Sequence, residues 1–264
     1  MFRGARFTRV NNFCSFLLAA IATSLFYGAL VPLHATYFAE MFTQRGFVPY
    51  TIVALFFWSL AILILKIFKL RLQRQTLQFQ IVPENPEFVL SPATVGEVTR
   101  RLYEFVDEPR QFILFNRIEI ALANLRNLGR VGDLDEILRS QGEQDESTLE
   151  TSYSVVNGFV WAIPVLGFIG TVEGLSQSIG GFGTVLSTTE DLSQIKSSLQ
   201  LVTGGLAVAF ETTLQGLVAA LIVQMLLTMT KKKEEEFLDD CSEYCVRNVV
   251  GRLRLTPYQS GSGT

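Results

Sequence analysis

The sequence predicts an all-α polytopic membrane protein with four transmembrane helices and a cytoplasmic helical insertion, the last two helices long and extending into the cytoplasm. Three observations carry that prediction. Of the 264 residues, 48% are hydrophobic and 18% charged, too apolar for an ordinary soluble domain. Apolar runs at Phe13 to Leu33, Tyr50 to Phe68, Tyr153 to Gly181 and Gln200 to Met229 are each long enough to cross a bilayer. Between the second and third runs, a charged stretch carries apolar residues at helical spacing. The chain therefore reads as a transmembrane hairpin over 1–69, the insertion over 70–152, a second pair of membrane helices over 153–230, and a cytoplasmic helix and tail over 231–264.

In the first run, Arg3, Arg6 and Arg9 precede the apolar stretch. It exceeds the ~7–15 residues of a signal h-region, and Leu33-His34-Ala35 is not a small-x-small cleavage site, so the helix is expected to stay. A link containing Glu40, Arg45 and Pro49 leads to the second run, which exits through Lys66, Lys69, Arg71 and Arg74. The positive-inside rule then puts the N-terminus and this exit in the cytoplasm.

The insertion opens with Pro83, Pro86 and Pro92. Leu102, Phe105, Val106 and Pro109 end one amphipathic stretch, and Phe112 to Leu128 forms a second, with Arg117, Glu119 and Arg126 between its apolar positions. Gly129 and Gly132 read as a stop, Asp133 to Leu138 as one or two further turns, and Ser140 to Ser147 as a polar stretch. The glycine, serine and threonine residues of Gly181 to Ser198, around Glu190, Asp191 and Lys196, read as an outside loop. The fourth run ends at Lys231-Lys232-Lys233, a cytoplasmic exit, so both termini are expected in the cytoplasm. Phe237, Leu238, Cys241, Cys245 and Val249 continue the helical spacing, and TPYQSGSGT after Leu255 reads as a disordered tail.

Several function classes are excluded. The net charge is −3 with no basic patch interleaved with aromatics, so nucleic acid is not an expected partner. Cys14, Cys241, Cys245 and the lone histidine, His34, are too few and too scattered for a metal site. No phosphate loop or nucleophile–histidine arrangement is present, and Ser152 and Ser154 have no histidine to activate them, so neither an enzyme nor a cofactor is expected.

What does stand out is polarity inside the third and fourth runs. An acid at bilayer depth costs about 2.5–3.5 kcal/mol and usually marks an ion pathway or a helix contact. Glu173, Glu211, Gln215 and several threonines lie there. At 100° per residue, Gly167, Gly170, Thr171, Gly174, Ser178 and Gly181 form one small, weakly polar stripe. Gly205, Ala209, Thr212, Thr213, Gly216 and Ala220 form another. Such stripes suit close helix packing or, with their hydroxyls, a water-lined path. Glu211 points nearly opposite the second stripe, with Gln200, Gly204 and Gln215. Glu211 and Glu173 thus read either as ion-transfer acids or as subunit-contact acids. Pro164 frees the Val160 carbonyl, which favours a bend.

Two segments, IPVLGFIGTVEGL and GLAVAFETTLQGL, together resemble the MotA/TolQ/ExbB proton-channel family over roughly Asn157 to Thr228. The four-helix layout is similar to the flagellar stator subunit, and the GTV segment to TolQ and ExbB. The resemblance implies an ion-conducting, multi-pass subunit of the bacterial inner membrane. It implies a homopentamer around a dimer of a single-span partner similar to MotB, TolR or ExbD, and a rotary motor or stator powered by ion flow. On family frequency, H+ is preferred to Na+ as the transported ion. The family's pore-facing threonines carry onto Thr171 and Thr213, with Thr212 beside them, and Gly167, Gly170, Gly174, Gly205 and Gly216 become the packing positions. TolQ- and ExbB-like proteins have a glutamate at the position aligned with Val208, whereas here Glu211 follows one helical turn later. Flagellar rotation, envelope import, gliding and phage defence are all compatible with the resemblance. A non-conducting scaffold anchoring a cytoplasmic domain and a partner is the alternative reading.

Overall fold

The computed structural model describes residues 10–83, 88–91, 93–125, 131–188 and 192–253, and their side chains except at 131, 132, 181–188, 192–195 and 201. Arg3, Arg6, Arg9, Pro86, Pro92, Arg126, Gly129, Glu190, Asp191 and the C-terminal tail lie outside the described residues. Eight α-helices are described in order: α1 (Asn12–Leu30), α2 (Tyr37–Thr43), α3 (Val48–Gln75), α4 (Val95–Phe105), α5 (Ile113–Asn124), α6 (Val131–Ser152), α7 (Ser154–Thr188) and α8 (Leu192–Asn248). Among the described residues, four stretches are long and apolar enough to cross a membrane, beginning at Asn12, Val48, Asp133 and Lys196, and the chain is a multi-pass membrane protein. At about 1.5 Å per residue, the 57 residues of α8 extend for about 85 Å, well past a ~30 Å hydrocarbon core.

Two compact units are present, one formed by Asn11–Leu65 with Tyr153–Met229, the other by the described parts of Lys66–Ser152 and Thr230–Thr264. In the first unit, the Asn11 side chain caps α1 by accepting from the Phe13 amide at 3.0 Å. Ser15, fully buried, accepts a hydrogen bond from Trp58 Nε1 at 3.1 Å and so ties α1 to α3. Phe16 meets Trp58 edge-on, and Tyr27 stacks on Tyr50. The link between the first two spans contains α2, whose N-cap is Thr36. After it, Gly46 takes the left-handed conformation, φ +77°, that reverses the chain into α3. Pro49 is tolerated because it lies in the first turn of α3, where no intrahelical donor is needed. Val48 and Ile52 of α3, Ile163 of α7 and Ala220 of α8 form the core that holds these three helices together.

The second unit packs α4 and α5, with α6 and the last part of α8, around Val98, Leu102, Leu114, Ile118, Leu134 and Cys241, none of which is exposed. Leu90 forms an isolated parallel bridge with Leu253, its amide donating to the Arg252 carbonyl at 2.9 Å.

Three expectations from the sequence are corrected. Gly132 does not stop a helix, and Ser140 to Ser147 is not a break, because α6 runs unbroken for 22 residues. Leu134, Leu138, Asp145 and Leu149 make its buried stripe, so the polar residues between them occupy its other faces. Most of the loop expected over Gly181 to Ser198 is helix, since α7 reaches Thr188 and α8 begins at Leu192. Extending an existing helix adds one hydrogen bond per residue, which offsets the ~1 kcal/mol cost of each glycine. Arg117 and Lys66 are buried, 2% and 1% exposed.

Candidate functional site

Helices α7 and α8 approach each other closely because glycine lines the contact. A Cβ placed on Gly167 would stand 2.9 Å from the Thr212 carbonyl oxygen, and one on Gly216 would stand 2.9 Å from that of Ile163. Gly174 and Gly205 face each other in the same way, with Gly174's hypothetical Cβ 3.0 Å from the Gly205 carbonyl and Gly205's colliding with Ser178. A Cβ on Gly170 would stand 2.6 Å from the Thr212 hydroxyl oxygen. Real Cβ atoms essentially never come within 3.0 Å of another atom, so at Gly167, Gly170, Gly205 and Gly216 the close seam requires glycine.

Three threonine hydroxyls gather along this seam. Thr171 Oγ1 and Thr213 Oγ1 are in direct hydrogen-bonding contact across it. Thr171 Oγ1 also lies 2.9 Å from the Ala209 carbonyl, and Thr213 Oγ1 lies 3.2 Å from that of Gly167. Thr212 is fully buried, its hydroxyl 3.1 Å from the Ala209 carbonyl and 3.4 Å from that of Gly167. Thr171 and Thr213 are half-buried. Each hydroxyl has one proton to donate and two lone pairs to accept with. One hydrogen bond between the pair and one to a carbonyl use both protons and leave acceptor capacity on the hydroxyls. That capacity suits a cation, a hydrated proton or a protonated carboxyl group.

Glu211, two residues before Thr213 and therefore on the opposite side of α8, belongs to a separate cluster. The residue is 8% exposed, and its carboxylate accepts from Arg45 Nε at 2.9 Å, from Arg45 Nη2 at 3.4 Å and from the Tyr37 hydroxyl. That last hydrogen bond, foremost, holds the Tyr37 hydroxyl above the usual tyrosine range. One turn on, Gln215 Nε2 donates to the Met41 carbonyl at 2.9 Å. Glu173 is half-buried and accepts from Gln177 Nε2 at 3.4 Å. The structure thus joins Thr171, Thr212 and Thr213, and brings neither Glu211 nor Glu173 to them. An apolar cleft of about 290 Å³ lies beside Gln215, walled by Phe26, Phe42, Phe57 and Val218 among others.

Two buried ion pairs went unforeseen. Lys66 Nζ lies 3.1 Å from Glu234 Oε2 and donates to Ser152 Oγ at 2.8 Å. Arg117 Nε lies 2.8 Å from Asp145 Oδ2, and its Nη1 donates to Ser242 Oγ at 2.7 Å. A local signal existed for each cation: Lys66 precedes Ile67 and Phe68 inside the apolar run, and Arg117 sits within the apolar ILFNRIEIAL stretch. For Arg45 and Tyr37, 166 and 174 positions from Glu211, no local signal exists. Among the described residues, no group of three or more His, Cys, Asp or Glu side chains is placed to hold a metal ion.

No curated protein and no solved structure matches the chain. The family model described as the MotA/TolQ/ExbB proton channel family matches residues 113–243. That range takes in α5, α6, α7 and most of α8, and so includes the glycine seam and its threonines, while Tyr37, Arg45 and Lys66 lie outside it. Through residues 113–243 the chain, a multi-pass membrane protein, belongs to the MotA/TolQ/ExbB proton channel family.

Proposed function

We propose that the protein is the ion-conducting subunit of an inner-membrane motor. Five copies surround a dimer of a single-span partner similar to MotB, TolR or ExbD, and ion flow is converted into rotation or other mechanical work. The observation that carries this reading is the contact between the Thr171 and Thr213 hydroxyls on two apolar, membrane-length helices. Polar side chains in such helices are costly unless they meet a partner or a path. Here, acceptor capacity remains on the hydroxyls after their own protons are used.

In this reading Thr171 and Thr213 line the path, with Thr212 supporting them from within the seam. They hydrogen-bond the hydrated ion or the partner's acidic side chain as it passes. The ion is H+, the family's commoner choice, with Na+ the alternative that the same oxygen ligands allow. One charge crossing 100 mV releases about 2.3 kcal/mol, so several transfers suffice to turn a ring. Glu211 and Glu173 are left outside the path, since their carboxylates meet Arg45, Tyr37 and Gln177 instead. Both termini face the cytoplasm, in keeping with the basic exits at the ends of the second and fourth spans.

The test is proton and sodium flux into vesicles containing the chain together with a single-span protein similar to MotB, TolR or ExbD. Flux that depends on both chains and disappears on replacing Thr171 and Thr213 by valine is the expected result. An assembled complex that passes neither ion returns the protein to the scaffold reading.

A further inference from the structure

Four observations converge on the corner between α2 and α3. Arg45 grips the Glu211 carboxylate through Nε at 2.9 Å and Nη2 at 3.4 Å, and Tyr37, at the start of α2, donates to the same carboxylate. Gln215, one turn further along the same side of α8, donates to the Met41 carbonyl, one of the last-turn carbonyls of α2 that have no partner within that helix. Gly46, immediately after Arg45, is in the left-handed conformation that reverses the chain. Two residues later Val48, 1% exposed, packs in the core with Ile163 of α7 and Ala220 of α8. Arg45 is therefore displayed from a corner whose backbone is fixed at both ends.

Glu211 and Thr213 are two residues apart on α8, about 200° around its axis. The same helical turn is held on one side by the arginine corner and on the other by the glycine seam. Rotating α8 enough to release Glu211 would carry the Thr213 hydroxyl away from Thr171. We propose that Arg45, with Tyr37 and Gln215, is a positioning residue of the ion path: it sets the rotational setting of α8 that keeps Thr213 beside Thr171. On this account Glu211 is an anchor and carries no proton during transport. The inference rests on the reading of Thr171 and Thr213 as the path, and extends it to residues outside the family-matched range.

Two readouts test it on the full chain in its membrane, each expressed per inserted chain. The first is oxidative cross-linking of Thr171→Cys with Thr213→Cys in a Cys14→Ser background. The second is proton flux, measured with a pH-sensitive dye in vesicles from cells that make the complex with Thr171 and Thr213 intact. Arg45→Met and Glu211→Leu are each expected to lower cross-linking and flux by about tenfold. Arg45→Lys retains most of both, and the exchange of Arg45→Glu with Glu211→Arg restores both. A proton-carrying Glu211 gives the opposite pattern, because arginine at that position cannot release its proton: cross-linking returns in the exchanged pair while flux stays absent.

That result overturns the proposal, and so does unchanged cross-linking in the single variants. If the single variants fail to insert, Arg45→Lys, Glu211→Gln and the paired Arg45→Gln with Glu211→Gln take their place. Failure of these to insert shows a folding role and also overturns it. If the unsubstituted chain passes no protons, the proposed function fails, while the cross-linking comparison still decides whether Arg45 positions α8.

Discussion

Lys66 Nζ and Glu234 Oε2 lie 3.1 Å apart with both side chains 1% exposed, and Ser152 Oγ accepts from the same ammonium at 2.8 Å. One buried cation thus ties α3, the last residue of α6 and α8 at a single point. The desolvation cost of such a pair is met only while both charges are present. Lys66→Met alone, or Glu234→Leu alone, is expected to destabilise the protein by about 3–5 kcal/mol. The double replacement should recover most of that loss. Thermal unfolding of the four forms in one detergent measures the coupling, and additive losses would show that the two groups act independently.

Arg117 and Asp145 form the second buried pair, at 2.8 Å, and the arginine reaches Ser242 through another nitrogen of the same planar group. Lysine is a single point donor and cannot span both partners. Arg117→Lys is therefore expected to keep the charge yet lower stability, and Asp145→Ala to cost about 3–5 kcal/mol by stranding the guanidinium. Limited proteolysis should show faster cleavage around α5 and α6 in both variants. Cleavage at the unsubstituted rate would place the pair outside the energetics of this unit.

The threonines separate hydroxyl chemistry from shape. Valine nearly matches threonine in volume but lacks the oxygen, so Thr171→Val and Thr213→Val should lower ion flux without disturbing the seam. Removing a single hydrogen-bonding group of this kind is expected to cost about 1–2 kcal/mol, roughly 5- to 30-fold in rate. Serine at either position should retain most of the flux. Equal flux through the valine and threonine forms, at equal amounts of assembled complex, would remove these hydroxyls from the path.

Glycines in α7 and α8 should fall into two groups by what their missing Cβ would meet. Gly216→Ala puts a methyl group 2.9 Å from the Ile163 carbonyl, and Gly167→Ala meets the Thr212 carbonyl at the same distance. Both obstacles are backbone, so the helices must part, at about 1–3 kcal/mol each. Nothing stands within 4 Å of a Cβ on Gly158 or Gly204. Alanine there is expected to be neutral or to stabilise by about 0.5–1 kcal/mol through higher helix propensity. Unfolding midpoints of the four single variants should divide accordingly.

Features that repeat along the chain were legible without coordinates. The long apolar runs specified the membrane spans because length and hydropathy alone decide whether a segment can cross hydrocarbon. The small stripes were legible for a related reason: helical periodicity assigns Gly167, Gly170 and Gly174 to one face before any neighbour is known. The motif around Thr171 and the one around Thr213 were legible through the family that residues 113–243 match. The extent of α6 and α7 was not, because glycine and serine weaken a helix by amounts smaller than what packing returns. Asp145 illustrates this, since a carboxylate read as part of a polar stretch is buried against Arg117.

By itself the sequence determined that this is a multi-pass membrane protein, which helices are long and apolar enough to cross a bilayer, and which faces of the last two carry small and hydroxyl-bearing residues. The tertiary structure decided which charges meet: Arg45 with Glu211, Lys66 with Glu234, and Arg117 with Asp145. The reason is that helical periodicity and hydropathy are local properties. An ion pair between residues 166 or 168 positions apart depends on where folding brings them. The same physics makes Thr171 and Thr213 more than two similar hydroxyls, for glycine on both helices lets the backbones come close enough for the pair to touch.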